Sequence, residues 1–168
     1  DPRTHGGPAF VNSYHLNMVR VTAEGIHFSG LNTQALLALS PEMTVAEVCN
    51  LPRGCHNAMP YQDGVIFNDT ASDVVRYVGR SQTATAVAVP VFPENELENR
   101  GVDDSRLARQ GFGRGLCVLN DGLVAAGSSP STISIIDILK GTRLTAVNLT
   151  MDIRNAVHGL ERWPAAWQ

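Results

Sequence analysis

Three of the five histidines in the chain, His15, His56 and His158, stand in short segments of similar character: Tyr14-His-Leu-Asn, Cys55-His-Asn-Ala and Val157-His-Gly-Leu. Imidazoles carried to one axis by separate elements can ligate a divalent or copper ion and leave positions open for water or substrate. A metal held there would polarise a carbonyl or activate water, so these three are the expected metal ligands. A structural role competes with that reading, because a repeated histidine can also hold a neighbouring loop through one ring nitrogen. His27 reads as packing or surface, and His5 as part of a flexible lead-in over 1–10.

Arginine recurs at comparable places. Arg53 precedes Gly54, Arg114 stands between Gly113 and Gly115, and Arg154 precedes Asn155. A guanidinium can bind a carboxylate or phosphate bidentately, or it can pair with acidic loop residues. Arg114 and Glu161 are the catalytic candidates, with Arg114 orienting an anionic group. Asn17, Asn57, Asn68, Asp69, Arg53 and Arg154 are the substrate-binding candidates. Asn68-Asp69 also reads, and by preference, as an Asx corner that ends a strand. No GxSxG elbow is present, and Gly111-Phe-Gly-Arg-Gly115 leads into a strand rather than a helix, so neither a serine-triad hydrolase nor a dinucleotide fold is indicated.

The elements that would position these residues form a repeat. Tyr14 to Val21, the turn Ala23-Glu-Gly25, Ile26 to Gly30, the corner Asn32-Thr-Gln34 and Ala35 to Leu39 make one block. Gly54 to Met59, Gln62-Asp-Gly64, Val65 to Asp69, Thr70 to Asp73 and Val74 to Val78 make the second. Arg114 to Leu119, Asn120-Asp-Gly122, Leu123 to Gly127, Ser128 to Ser131 and Thr132 to Ile138 make the third. An acidic residue followed by glycine between apolar runs is a hairpin signal, because the primed turns need positive φ. A fourth strand is expected after each block, at Thr44–Val48, Thr83–Val89 and Arg143–Asn148. Taking His15, His56, Gly115 and His158 as equivalent gives steps of 41, 59 and 43 residues. The long middle step contains a charged insertion over 92–110, with a short helix expected at Asp103–Arg109.

Four-stranded units at this period resemble the β-propeller superfamily over residues 11 to 168. The glycine turns and Asn/Asp corners are similar to six-bladed propellers such as gluconolactonase, strictosidine synthase and NHL-repeat proteins, and to bacterial streptogramin lyases. The GH and WD dipeptides of WD40 blades are missing. The resemblance implies blades at about 14–50, 54–91 and 112–150 and a closing strand at 155–163. In gluconolactonase-like propellers Asn, Asp and Glu from different blades hold a calcium or zinc ion, which nominates Asn57, Asn68, Asp69 and Glu161. A β-sandwich of short strands is the alternative all-β arrangement.

A chain of 168 residues holds three blades and a first strand, whereas a closed ring takes roughly four to eight blades. A homodimer of half-propellers, or a missing half of a longer chain, is therefore expected; the opening at Asp1 without an initiator methionine looks like interior sequence. The expected function is a metal-assisted hydrolase or lyase on a small polar or anionic substrate, with a divalent metal as cofactor. The alternative is a non-catalytic propeller that recognises a ligand or protein through its rim loops. With 13 basic against 16 acidic residues, the net charge of -3 argues against a general nucleic-acid binder. No apolar run is long enough for a transmembrane helix; a cytoplasmic location is the default expectation. Cys49, Cys55 and Cys117 read as small apolar residues, and the Asn68 and Asn148 sequons as accidents.

Overall fold

The computed structural model describes residues 13–81, 83–100 and 109–163. Strands β1 (Leu16–Thr22), β2 (Gly25–Gly30), β3 (Ala35–Leu39) and β4 (Val45–Asn50) pair in chain order as blade 1. Strands β5 (Cys55–Tyr61), β6 (Gly64–Asp69), β7 (Val74–Gly79) and β8 (Ala84–Ala88) make blade 2. Strands β9 (Phe112–Val118), β10 (Leu123–Ser129), β11 (Thr132–Asp137) and β12 (Thr142–Asn148) make blade 3. All neighbouring strands are antiparallel, and the inner strands β1, β5 and β9 stand side by side.

The turns obey local chemistry. Gly25 and Gly122 have φ of 132° and 95°, which L side chains rarely adopt. Gly64 is needed for another reason: a Cβ there would run into the Val78 carbonyl of the paired strand. Each blade then ends on the same hydrogen bond. The N–H groups of Leu51, Val89 and Leu149 donate to the carbonyls of Gln34, Asp73 and Ser131, at 2.8, 2.9 and 2.8 Å.

The alternation of strand side chains gives each blade two faces, and the core lies between blades rather than at one centre. Phe67 and Val65 of blade 2 face blade 1, whereas Ile66, Asn68, Val75 and Tyr77 face blade 3. Leu36, Ile66, Phe67, Val75, Val124 and Ile136 are fully buried in these seams, each stabilising the stack by roughly 1.5–3 kcal/mol. Polar groups stitch the seams as well. Ser29 Oγ donates to the Ala58 carbonyl at 3.4 Å, and Asn68 Nδ2 donates to the carbonyls of Arg114 and Gly115, both at 3.2 Å. Gly127 occupies the matching place on blade 3, where a Cβ would lie 2.7 Å from the Val157 carbonyl oxygen. Residues 155–160 thus lie against blade 3 where β5 lies against blade 1 and β9 against blade 2, tied by Gly115 N–H to the Val157 carbonyl at 2.8 Å.

Several expectations need adjustment. The fourth strands begin and end within about two residues of the expected places. A short 3₁₀ turn at Glu94–Glu96, not expected, lies in the 92–110 insertion, and the expected helix falls almost wholly outside the described residues. The three cysteines are free thiols. Asn68 is completely buried, which is incompatible with glycosylation in the folded state.

Candidate anion site at the mouth of the inner strands

Gly113 and Gly115 bracket Arg114 because neighbouring elements press close on both. A Cβ at Gly113 would meet Asn68 Oδ1 at 2.9 Å, and one at Gly115 would meet the Val157 carbonyl oxygen at 2.9 Å. The intervening Arg114 is half-buried. Its Nη1 lies 3.3 Å from Nδ1 and 3.2 Å from Nε2 of His158, and its guanidinium stacks 4.5 Å above the Phe112 ring. Arg109 takes up a second cation–π position at 5.1 Å from Phe112 and pairs with Asp73 through contacts of 2.6 and 3.0 Å. His56 meets Phe112 edge-on at 5.4 Å, and His15 meets His56 edge-on at 6.5 Å.

The three candidate histidines and Arg114 are thus brought to one mouth, with Phe112 as the ring that organises them. The register assigns the repeat differently from the sequence reading. Leu16 pairs with Gly30 and Cys55 with Asp69, so the counterpart of His56 is Asn17, while His15 precedes β1 at φ 46°.

Electrostatics follow from burial beside a cation. Burial, and then the Arg114 charge, pushes the His56 imidazole down to about 4. The same two causes in the same order lower His158, and burial lowers Arg114. Two neutral imidazoles therefore flank a guanidinium at neutral pH. The buried Nδ1 of His56 and Nε of Arg114 have no hydrogen-bond partner, and no carboxylate among the described residues pairs with Arg114. Such a group suits an incoming anion.

The same arrangement does not suit a divalent ion. Among the described residues no three His, Cys, Asp or Glu side chains lie close enough to share one, and the guanidinium beside His158 repels a second cation.

Below the mouth an open cleft of about 520 Å³ runs along the inner strands, lined by Asn17, Asn57, Met59, Leu116, His158 and Glu161 among others. Asn17 is committed to the seam, donating to the Cys55 carbonyl at 3.1 Å and accepting from Asn57 N–H at 3.3 Å. Glu161 is exposed and accepts from the N–H of Arg162. The other candidates lie away from the cleft. Asp69 is an Asx corner, accepting from Ser72 N–H and from Arg76. Arg154 chelates Asp152 at 2.6 to 3.1 Å and holds that carboxyl down at about 2. Arg53 is exposed beside Gly54. Phe112 and Arg109 were not singled out from sequence; the aromatic residue inside the glycine-spaced Gly111-Phe-Gly-Arg-Gly115 run was the available signal.

Three radially stacked four-stranded antiparallel blades define a β-propeller fold. The solved structures it is similar to include a streptogramin B lyase, at TM-score 0.53 and 9% identity over 83% of this chain and 42% of that one. Another is virginiamycin B lyase from Staphylococcus aureus, at TM-score 0.53 and 12% identity over 83% of this chain and 43% of that one. The chain spans less than half the length of either. No family model and no curated protein matches the sequence.

Proposed function

We propose that the mouth of the inner strands binds a small polar molecule by an anionic group and acts on it as a lyase or hydrolase. The observation that supports this is the Arg114–His158 pair: an unneutralised guanidinium against a neutral imidazole that lines the cleft. Arg114 holds the anion. His158 accepts a proton, either from a carbon beside the anionic group, with the electron pair expelling the leaving group, or from a water that attacks a carbonyl. Glu161, on the same cleft, carries the proton away. The divalent ion expected at His15, His56 and His158 has no part in this scheme, because Arg114 supplies the positive charge. The lyase names of the structurally similar proteins agree with the first route by analogy of fold only. The cleft is completed by further blades, from a second copy or from the rest of a longer chain.

One observation favours the binding-module alternative: no carboxylate among the described residues orients His158. The test is a panel of small carboxylates, phosphate esters and lactones, with binding followed by calorimetry and products by mass spectrometry. From a lactone, a ring-opened product of unchanged mass indicates a lyase and one heavier by water a hydrolase. From an open-chain substrate the two fragments sum to the substrate's mass for a lyase and to that mass plus one water for a hydrolase. Binding without turnover indicates the module. Arg114→Ala is expected to weaken binding ten- to a hundredfold. Binding that is indifferent to that substitution sinks the reading.

A further inference from the structure

Asn68 is fully buried, and the two ends of its amide have different neighbours. Nδ2 donates to the carbonyls of Arg114 and Gly115, both at 3.2 Å. Two carbonyl partners can be met only by the N–H end, so Oδ1 is turned away from them and can only accept. A Cβ at Gly113 would come within 2.9 Å of Oδ1, and Gly113 is paired across the sheet with Ser128. One flat side chain therefore borders three consecutive backbone units, 113 to 115, with Arg114 in the middle.

Asn68 Oδ1 has no hydrogen-bond partner among the described residues, and neither have the buried hydroxyls of Ser128 and Ser134. All three residues line one small cavity in the blade 2–blade 3 seam, whose other walls include Val75, Ala126 and Ile136. The register explains the space. Gly127 matches Asn68, so Ser128 stands where blade 2 has Asp69, and Ser134 where it has Arg76. Asp69 and Arg76 reach each other at 3.1 Å, whereas two serine side chains are shorter and leave a gap. The cavity gives the centre of a water molecule about 10 Å³, roughly the least room that holds one. Buried polar groups in folded proteins are almost always bonded, and three of them around one water-sized space are what a single water satisfies.

We propose that one water molecule is built into this seam, bonded to Asn68 Oδ1, Ser128 Oγ and Ser134 Oγ, and that Asn68, oriented by it, is the positioning residue for Arg114. The water donates one proton to Asn68 Oδ1 and one to a serine oxygen, and it accepts the hydroxyl proton of the other serine. Because the amide is planar, a bond that fixes Oδ1 also fixes the direction of Nδ2, and with it the strand that carries the guanidinium. The positioning role rests on the reading of the mouth as an anion site; the water does not.

The experiment has three readouts: electron density in a crystal of the wild type, NMR titration of the His158 ring, and phosphate binding by calorimetry. The wild type is expected to show one density peak bonded to all three side chains, and Ser128→Ala with Ser134→Ala to lose it. Asn68→Ala and the double serine variant should both let the His158 pKa rise toward the ordinary value and weaken phosphate binding by roughly two- to tenfold. Thr85→Val serves as the control. It removes another bond of the same seam, from Thr85 Oγ1 to the Ile138 carbonyl at 2.7 Å, and should lower stability without moving His158. Should the variants not fold, the density and the exchange rate of the Asn68 side-chain amide protons in the wild type decide, with slow exchange expected. A wild-type seam without density overturns the water. A His158 titration unmoved by Asn68→Ala, one moved equally by Thr85→Val, or an Asn68 amide in fast exchange with solvent overturns the positioning role. Wild type that binds no phosphate or carboxylate, while the density and the His158 shift stand, overturns the reading of the mouth alone.

Discussion

Arg114 Nη1 stands 3.2 Å from Nε2 of His158, so a permanent cation and a titratable ring share one edge of the cleft. Burial is the larger cause of the lowered His158 pKa, and the Arg114 charge is the second. Removing that charge by Arg114→Ala should let the His158 pKa rise toward the ordinary histidine value, whereas Arg114→Lys, which keeps a cation, should restore much of the depression. An NMR titration of the His158 ring protons measures both. A titration curve unmoved by Arg114→Ala would show that the two side chains do not interact in solution.

His56 makes stability depend on acidity. Its folded pKa is about 4 against an ordinary 6.5, so below pH 6.5 the unfolded chain binds a proton that the folded chain refuses. The stability contribution is complete above pH 6.5 and is lost as pH falls toward 4, by at most about 3 kcal/mol. Urea unfolding at pH 7 and pH 4.5 should show the drop, and His56→Gln should flatten it. Equal slopes for the two proteins would rule out His56 as the cause.

Much of the fold was legible because its signals are local. The Asp-Gly and Glu-Gly turns and the corners fixed where strands start and stop without reference to anything distant. The mouth was legible in part: His15, His56, His158 and Arg114 converge, with the Arg114 guanidinium set against His158 and the Phe112 ring, and Phe112 at their centre. What hid this was the bulge in each inner strand. Register slips between Leu16 and Met18 and between His56 and Met59 shift which residue faces the axis, and sequence spacing carries no mark of them. Nor does spacing reveal that Asp152 has already claimed Arg154, which is a contact within a single turn of chain.

Gly127 and Gly159 make a matched pair. Gly127→Ala places a methyl 2.7 Å from the Val157 side chain and carbonyl, so residues 155–160 must move; the expected cost is roughly 1–3 kcal/mol. Around Gly159 nothing lies within 4 Å, and Gly159→Ala should change stability by less than about 0.5 kcal/mol. Thermal unfolding of both variants compares them directly, and equal melting temperatures would show that the 155–160 segment is not seated on blade 3.

Tyr61 tests the blade 2–blade 3 seam. Its hydroxyl accepts from the buried N–H of Gly122 at 2.7 Å, across 61 residues of chain. Tyr61→Phe leaves that donor unpaired and should destabilise by about 1–3 kcal/mol with little change in packing. A denaturation midpoint equal to wild type would mean that water replaces the hydroxyl.

The seating of each inner strand on the blade before it also sets an order of construction. β5 needs only blade 1, β9 only blade 2, and residues 155–160 only blade 3. A ribosome delivering the chain from its N-terminal end therefore leaves each of these blades waiting only for the next one. Every seam among the described blades can zip as its second half emerges, and the described residues leave the Val19 and Val21 face of blade 1 uncovered.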